Sequence, residues 1–455
     1  MSNKFIKLEQ AQQQLSQLGQ NFVIIKNPAY LFPEYEIALL STPSALPLER
    51  LLAVVMDMDG TTTTTELLCI HSQEYMIRQI SGCLTSDEWA GLNRKQDYPY
   101  IIGNSTTRHI EYLIQTYQGM INPENLKQAF FGAVLWTACT TMDTNRRKEM
   151  TGNVINLVDK AMIQDDHWPK TILTTPDNDF QIRLNYFLHH YGSAFHTDKL
   201  TDWVRAGMEV YYQRYHSILE EFLAGRGDCV ARDLLGNSEA RLIAPMPGIG
   251  VFLALTRGLL GEESVHTAAL LLEFLNYSQP QTARSISIDQ AKSILACLAH
   301  RFTLHPLKCA VVTSSIYHEA HIVLSEVFRI INHEIETWPV SQACKARLNQ
   351  SFSDYTRFYD TVITASDSSE IRLKPHHDLY SLALHQLGIA PTDFNHVIGF
   401  EDSESGTIAI RTAGIGVCVA VPLSETTHHD FQAATHILLG GIPETLLVHH
   451  LFCKR

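Results

Sequence analysis

The chain has 455 residues, and 35 Lys and Arg against 48 Asp and Glu give it a formal net charge of −13. That acidic balance argues against nucleic acid or an anionic membrane as a partner. Hydrophobic residues make up 45% of the chain and charged residues 18%, a composition that is typical of globular proteins with a large core and excludes disordered, collagen-like and membrane classes.

The cysteines and the N-terminus bear on where the protein works. Nine cysteines are scattered along the chain without a CxxC pair, which favours reduced thiols. The first residues, MSNKFIKLEQAQQQ, show neither the apolar core of a secretory signal nor the Arg-rich and Ser-rich character of a transit peptide. No run approaches the roughly 18 to 20 apolar residues of a membrane helix. Together these features predict a cytoplasmic protein.

Taken in chain order, the elements predict an α/β core with a helical insertion. Residues 1–50 form an extension with no core of its own, and the apolar run LLAVVMD at 51–57 predicts a strand buried on both faces of a parallel sheet. Helical periodicity then dominates, as in the segment 105–117, and Asn122-Pro123 predicts a capped helix start. Four more buried strands are predicted at CAVVT (309–313), TVITA (361–365), HVIGF (396–400) and IGVCVAV (415–421), with helices such as DLYSLALHQLG (378–388) between them.

The alternation of strands and helices predicts a doubly wound parallel sheet. We therefore expect three parts. They are an N-terminal extension at 1–50, an α/β core at 51–66 and 244–455, and a helical cap at 67–243 inserted after the first strand. Two segments, 256–300 and 316–360, are predicted to add further helices to the core.

The strongest chemical signal is DMDGTT at 57–62, directly after the first buried strand. Ligands of open α/β sheets bind beyond the carboxyl ends of the strands. Residues two apart in a strand point to the same side, so Asp57 and Asp59 could face one site. An acidic surface turn is the alternative for this motif alone.

Three later motifs also fall at or just after predicted strand ends. They are Thr313-Ser314, Lys374 in LKPHHDLY, and Glu401-Asp402 in GFEDSESG. The order DxDGT, hhhT, KP and EDSxxGxxA resembles the four motifs of the haloacid dehalogenase-like hydrolase superfamily. PMPGI at 245–249 is similar to the segment that follows the cap in its phosphoglycolate phosphatase and β-phosphoglucomutase branch. A loop difference from the family is His377, which stands where a Pro is common.

The resemblance implies a magnesium-dependent phosphatase and assigns roles to the motif residues. Asp57 is expected to attack phosphorus and form an aspartyl phosphate, and Asp59 to act as general acid and then general base. Lys374, the Thr313 hydroxyl and the Ser314 amide are expected to bind the phosphate. Mg²⁺ is expected on Asp57, the Asp59 carbonyl and Asp402, with Glu401 acting through a water molecule.

The helical cap is expected to close over a small phosphorylated metabolite and exclude water. In the cap, IIGNSTTRH at 101–109 resembles a family specificity segment, which makes Asn104 and Arg108 candidate substrate residues. Thr61 and the absence of Arg at Thr106 favour a phosphatase over a sugar-phosphate mutase, which stays an alternative. A non-catalytic binding protein of this fold is a second alternative, although Asp57, Asp59 and Lys374 are all present. Whether the chain has a protein partner is left open by the sequence.

Overall fold

The structure, a computed structural model, describes residues 6–19, 21–27, 32–44, 50–103, 105–170, 179–237, 240–367, 372–449 and 451–452. The chain folds into two compact units. The first consists of residues 1–64 and 244–455, and the second of residues 65–243.

Among the described residues the strands, in chain order, are β1 (Phe22–Lys26), β2 (Tyr35–Leu39), β3 (Ala53–Asp57), β4 (Thr63–Thr64), β5 (Ala244–Pro245), β6 (Lys308–Val312), β7 (Thr361–Ile363), β8 (Val397–Glu401), β9 (Val417–Ala420) and β10 (His436–Ile437). The α-helices are α1 (Leu8–Leu18), α2 (Glu66–Ser81), α3 (Tyr98–Ile101), α4 (Thr106–Tyr117), α5 (Pro123–Thr140), α6 (Thr144–Leu157), α7 (Lys160–Gln164), α8 (Phe180–Tyr191), α9 (Leu200–Leu223), α10 (Gly227–Leu235), α11 (Ile249–Thr256), α12 (Ala268–Ser278), α13 (Pro280–Arg284), α14 (Ile288–Leu304), α15 (Tyr317–Ile335), α16 (Gln342–Ser351), α17 (Tyr355–Phe358), α18 (Asp378–Gln386), α19 (Glu404–Thr412) and α20 (Gly441–Leu447). Short 3₁₀ segments cover Gln118–Met120, Gly261–Thr267 and Pro391–His396.

A parallel sheet of six strands forms the centre of the first unit. Its order is β10-β9-β8-β3-β6-β7, and each neighbouring pair is parallel. The central strand β3 is buried along its whole length, as expected for a strand covered by helices on both faces. On one face, Val55, Val312 and Ile363 pack with side chains of α18 and α19 in a continuous apolar core.

The predicted fold class, an α/β protein with a doubly wound parallel sheet, is confirmed by this topology. Each of the five predicted strands overlaps a strand of the sheet. The predicted helices in the segments 256–300 and 316–360 are present as α12 to α14 and α15 to α17. Three features were not predicted from the sequence. They are the edge strand β10, the short antiparallel pair of β4 and β5, and the N-terminal hairpin of β1 and β2.

The N-terminal hairpin continues into a segment that is bonded to the core. We call residues 40–44 the strap. Ser41 donates its backbone N–H to the Arg411 carbonyl and its hydroxyl to the Ile415 carbonyl. The buried Arg411 guanidinium in turn binds the Ser41 hydroxyl and carbonyl. Ser44 donates its backbone N–H to the Gly416 carbonyl and its hydroxyl to the Asn395 carbonyl. The strap is therefore fixed to the end of α19, to the segment before β9 and to the segment before β8.

The second unit is helical. The long helix α9 packs against α2, α4 and α5, and its Glu209 is fully buried in an ion pair with Arg146. Helix α5 begins as predicted, because Asn122 accepts hydrogen bonds from the backbone N–H groups of Glu124 and Asn125. None of the helices in the described part of the chain combines the length and the hydropathy that a bilayer crossing requires.

Candidate active site

The polar residues of the predicted motifs meet at one edge of the sheet. Asp57 is the last residue of β3 and Glu401 the last of β8, and these strands are neighbours in the sheet. On the other side of β3, Asp57 pairs in register with Val312, so Thr313 follows at the same edge. Because β6, β3 and β8 are parallel, their carboxyl ends build one site.

The turn after β3 is formed by the threonine run that follows Gly60. The Thr62 hydroxyl donates to the Asp57 carbonyl at 2.6 Å, and the Thr63 hydroxyl donates to the Met58 carbonyl at 3.2 Å. Gly60 has a φ of 82°, a conformation that favours glycine. A Cβ at Gly60 would lie 2.5 Å from the Asp402 carboxyl carbon. The motif therefore needs glycine both for its turn and for the close approach of Asp402.

Lys374 places its ammonium group between two carboxylates. Its side chain comes from the loop before α18 and is 8% exposed. Nζ donates to Asp57 Oδ1, to Glu401 Oε1 at 2.6 Å, and to the Val312 carbonyl at 3.4 Å. One ammonium thus holds the two acidic residues that end β3 and β8.

Glu401 is enclosed by donors from its own unit. Its Oε1 accepts from Lys374 and from the Tyr380 hydroxyl at 3.0 Å. Its Oε2 accepts from the backbone N–H of Ser403 at 3.2 Å and from the Ser403 hydroxyl at 2.9 Å. A Cβ at Gly406 would lie 1.8 Å from the Glu401 carboxyl carbon. Each oxygen of this buried carboxylate therefore has two donors, and only glycine fits behind it.

Three buried carboxylates form a group that could hold a cation. Ligand oxygens of Asp57, Glu401 and Asp402 lie within 4.8 Å of one another. Mg²⁺ prefers hard oxygen donors of this kind. Because Glu401 is occupied by Lys374, Tyr380 and Ser403, Asp57 and Asp402 are the better candidates for direct bonds to a metal ion.

Asp59, the second acidic residue of the DxDG motif, and the end of β6 lie on the side of Asp57 that is opposite to Glu401. The Ser315 hydroxyl and Asp59 Oδ2 are 3.3 Å apart. The Thr313 hydroxyl is buried and accepts the backbone N–H of Ser315 at 3.0 Å, whereas Ser314 is exposed. These groups could supply hydroxyl and amide donors to an anion at the strand ends.

Burial and neighbouring charge shift the pKa values of these groups. Burial and the Glu401 carboxylate raise the pKa of Asp57 well above its ordinary value, and the Lys374 ammonium opposes them. Burial alone would lower the pKa of Lys374, but the charges of Asp57 and Glu401 raise it above its ordinary value. Burial and the Glu401 charge raise the pKa of Tyr380, so its hydroxyl stays protonated and donates. The three carboxylates of Asp57, Glu401 and Asp402 share the single ammonium of Lys374, so the group has an excess of formal negative charge that a bound divalent cation would offset.

The predicted core residues Asp57, Asp59, Lys374, Glu401 and Asp402 converge, and Thr313 and Ser314 lie at the adjoining strand end. The two candidate cap residues belong to the second unit. Arg108 is exposed near the start of α4, and Asn104 lies outside the described residues. Their substrate role stays a prediction.

Sequence reasoning missed three residues of the site. They are Ser315, Tyr380 and Ser403, whose side chains bond Asp59 or Glu401. For Ser403 a signal existed, because it directly follows the Glu401-Asp402 pair. Tyr380 stands six residues after Lys374 on a helix with apolar periodicity, where an aromatic residue is more often part of the core.

Comparison with known proteins gives one related sequence and several related structures, and no family model matches the chain. A putative phosphatase, YhcW of Bacillus subtilis, is 36% identical over 95 residues, which is 20% of this chain and 40% of the relative. The match thus spans less than half of the relative's length.

Solved structures with 14% to 15% identity include CbbY from Rhodobacter sphaeroides in complex with phosphate and a putative phosphoglycolate phosphatase from Lactobacillus delbrueckii. The first match covers 87% of this chain and 99% of that chain at a TM-score of 0.33. The second covers 88% and 100% at 0.34. A putative β-phosphoglucomutase from Thermotoga maritima covers 87% and 96% at 0.29, with 15% identity.

A further similar structure, from Deinococcus radiodurans, is described as an HAD family hydrolase at 13% identity and a TM-score of 0.35, a description in line with the resemblance that the motifs carry. The proteins similar to this chain are described as phosphatases, hydrolases or a phosphoglucomutase. TM-scores below 0.5 carry no argument about reaction or substrate.

Proposed function

We propose that the protein is a magnesium-dependent phosphatase that hydrolyses a small phosphorylated metabolite through an aspartyl phosphate on Asp57. The observation that carries this proposal is the convergence of Asp57, Lys374 and the Asp402 carboxylate at the carboxyl ends of β3 and β8. Phosphoryl transfer needs an in-line nucleophile, positive charge against the phosphate and donors for its oxygens. Asp57, Lys374 and the Thr313 hydroxyl are the groups of the first unit that would meet these three requirements.

In the first half-reaction, an Asp57 carboxylate oxygen bonds to phosphorus while the bond from phosphorus to the leaving oxygen breaks. Asp59 gives its proton to that oxygen. Lys374 offsets the negative charge, and donors from Thr313 and Ser314 bind the phosphoryl oxygens.

In the second half-reaction, Asp59 takes a proton from water, and the water oxygen bonds to the phosphorus of the aspartyl phosphate. The bond between phosphorus and Asp57 then breaks, which releases phosphate and restores the carboxylate. When bound by Asp57, the Asp59 carbonyl and Asp402, with Glu401 contributing through water, Mg²⁺ would screen the charge between nucleophile and phosphate.

The nucleophile is tested with p-nitrophenyl phosphate. Asp57→Asn should lower kcat by at least about a thousandfold, because an amide cannot form the covalent intermediate. Asp166→Asn is the matched control, since Asp166 has a side chain that is 97% exposed in a surface ion pair. Comparable turnover in D57N and the wild type would refute the mechanism.

Magnesium dependence is tested on the same substrate. Chelation should remove the activity and Mg²⁺ should restore it, whereas Ca²⁺, which is larger and takes more ligands, should not. Asp402→Asn should raise the Mg²⁺ concentration needed for half-maximal activity more than Glu401→Gln does, because Glu401 is already held by protein donors. Full activity in excess chelator would rule out the metal site.

A sugar-phosphate mutase is the second candidate, because PMPGI at 245–249 and the segment 101–109 resemble segments of the β-phosphoglucomutase branch. A mutase would interconvert phosphate isomers, need a bisphosphate activator and release little inorganic phosphate. A phosphatase releases inorganic phosphate steadily without an activator. We expect the second behaviour, because Asp59 is available to activate water and Thr61 follows the DxDG motif as in many phosphatases of this superfamily.

A further inference from the structure

Tyr380 is a buried residue at the site to which no role has been given. It is the third residue of α18 and is fully buried in the apolar core of the first unit. Its hydroxyl donates to Glu401 Oε1 at 3.0 Å. Its ring lies below the Lys374 ammonium, with Nζ 5.3 Å from the ring centroid. One side chain thus contacts both members of an ion pair.

The geometry explains what the hydroxyl does. Lys374 and Tyr380 donate to the same oxygen of Glu401, and Ser403 supplies two donors to the other oxygen. Four donors leave a buried carboxylate one orientation. Since Glu401 binds the ammonium that in turn binds Asp57 Oδ1, the orientation of Glu401 determines where Lys374 holds the nucleophile.

We propose that Tyr380 is a positioning residue of the phosphoryl-transfer site. Its hydroxyl fixes the Glu401 carboxylate and its ring supports the Lys374 ammonium, so that Lys374 holds Asp57 in one orientation. The expected effect on kinetics rests on the proposed function. The expected effect on the structure of the site rests on the contacts alone.

Tyr380→Phe is the sharpest test, because it removes the hydroxyl and leaves the ring beneath Lys374. Tyr359→Phe is the matched control. Tyr359 is also buried in the first unit, and its hydroxyl has no hydrogen-bond partner among the described residues. Both variants keep the aromatic volume, so both should fold, and a cooperative melting transition checks this.

With p-nitrophenyl phosphate at saturating Mg²⁺, Y380F should lower kcat by about tenfold to a hundredfold, the usual effect of losing one hydrogen bond to a charged group. The KM should stay within about twofold, because a misplaced nucleophile weakens the transition state rather than substrate binding. Y359F should change neither constant by more than about twofold.

A second measurement does not depend on turnover. Mg²⁺ binding to each protein is followed by titration calorimetry. Y380F should bind Mg²⁺ about threefold to tenfold more weakly than the wild type, because Asp57 loses its fixed orientation. Y359F should bind like the wild type.

The outcomes separate this inference from the proposed function. If the wild type hydrolyses phosphate esters and Y380F has unchanged kcat and Mg²⁺ affinity, the role of Tyr380 is overturned and the function stands. If the wild type hydrolyses none, the proposed function fails, and the Mg²⁺ titration alone decides whether Tyr380 orders the site. A Y380F protein without cooperative melting makes Tyr380 a folding residue and also overturns the inference.

Discussion

At the scale of single residues, the site depends on one ammonium that serves two buried carboxylates. Lys374 is 8% exposed, Asp57 8% and Glu401 1%. A buried ion pair adds little net stability, but removing one partner leaves an uncompensated charge away from water. Lys374 is therefore needed to fold the site, in addition to the phosphate binding proposed for it.

Lys374→Met should lower the free energy of unfolding by about 3–5 kcal/mol, because Asp57 and Glu401 lose their shared cation. Urea unfolding at pH 7 without added metal measures the change. The control is Lys170→Met, which removes an ammonium that is 71% exposed and should change stability by less than about 0.5 kcal/mol. A loss below about 1 kcal/mol in K374M would contradict the buried charge arrangement.

Asp57→Asn should leave the free energy of unfolding unchanged or raise it, although we expect the same substitution to abolish activity. The substitution removes one of two like charges that share Lys374, and the raised pKa of Asp57 reflects the cost of its burial and of the neighbouring Glu401 charge. Urea unfolding of D57N beside the wild type gives the sign. A loss of more than about 1 kcal/mol would mean that Asp57 is a structural requirement.

At the scale of elements, the strap joins the N-terminal extension to the core through close backbone contact. A Cβ at Gly416 would lie 2.0 Å from the Ser44 hydroxyl oxygen and 3.2 Å from Asn395 Cα. Glycine at 416 therefore lets the strap lie against the segment before β9. The strap also bears on α19, which begins directly after Asp402 and Ser403, because it bonds Arg411 near the end of that helix.

Gly416→Ala should lower the free energy of unfolding by about 1–3 kcal/mol, because the new methyl group displaces Ser44. Ser44→Ala removes the clashing oxygen, so the double variant should lose at least about 1 kcal/mol less than the sum of the two single losses. Thermal or urea unfolding of the four proteins completes the cycle. Strictly additive losses would show that Ser44 does not lie where the contact places it.

The sequence predicted what depends on local pattern and missed what depends on packing between distant segments. Unbroken apolar runs identify β3, β6 and β8, because a strand that is buried on both faces needs apolar side chains at successive positions. The strap was missed, because Ser41 and Arg411 are 370 residues apart in the chain. Tyr380 was missed for the same reason. Its hydroxyl has a partner only because β8 brings Glu401 to α18.

At the scale of the whole molecule, acid affects stability in two opposing ways. The chain carries a net charge of −13 with a pI near 5.9, so lowering the pH from 7 reduces its self-repulsion and favours the compact state. Histidines that are held neutral in the fold have the opposite effect, because the unfolded chain takes up their protons first. His71 in the second unit is a group of this kind.

His71 lies on α2 beside two arginines. Arg214 on α9 donates to His71 Nε2 at 3.0 Å. Burial, with the charges of Arg214 and Arg78, lowers the pKa of His71 to about 4. Between pH 6.5 and 4 the unfolded state therefore binds a proton that the folded state rejects, so stability falls as the pH falls through this range and the loss levels off below pH 4.

His71→Gln should separate this effect from the change in net charge, because Gln still accepts from Arg214 but does not titrate. Between pH 7 and pH 5 the wild type should lose about 1 kcal/mol more free energy of unfolding than H71Q, after allowance for the partial exposure of His71. Urea unfolding of both full-length proteins at the two pH values measures the difference, and the shared change in net charge cancels between them. Equal losses in the two proteins would mean that His71 takes up its proton in the folded state and that the arginines do not keep it neutral.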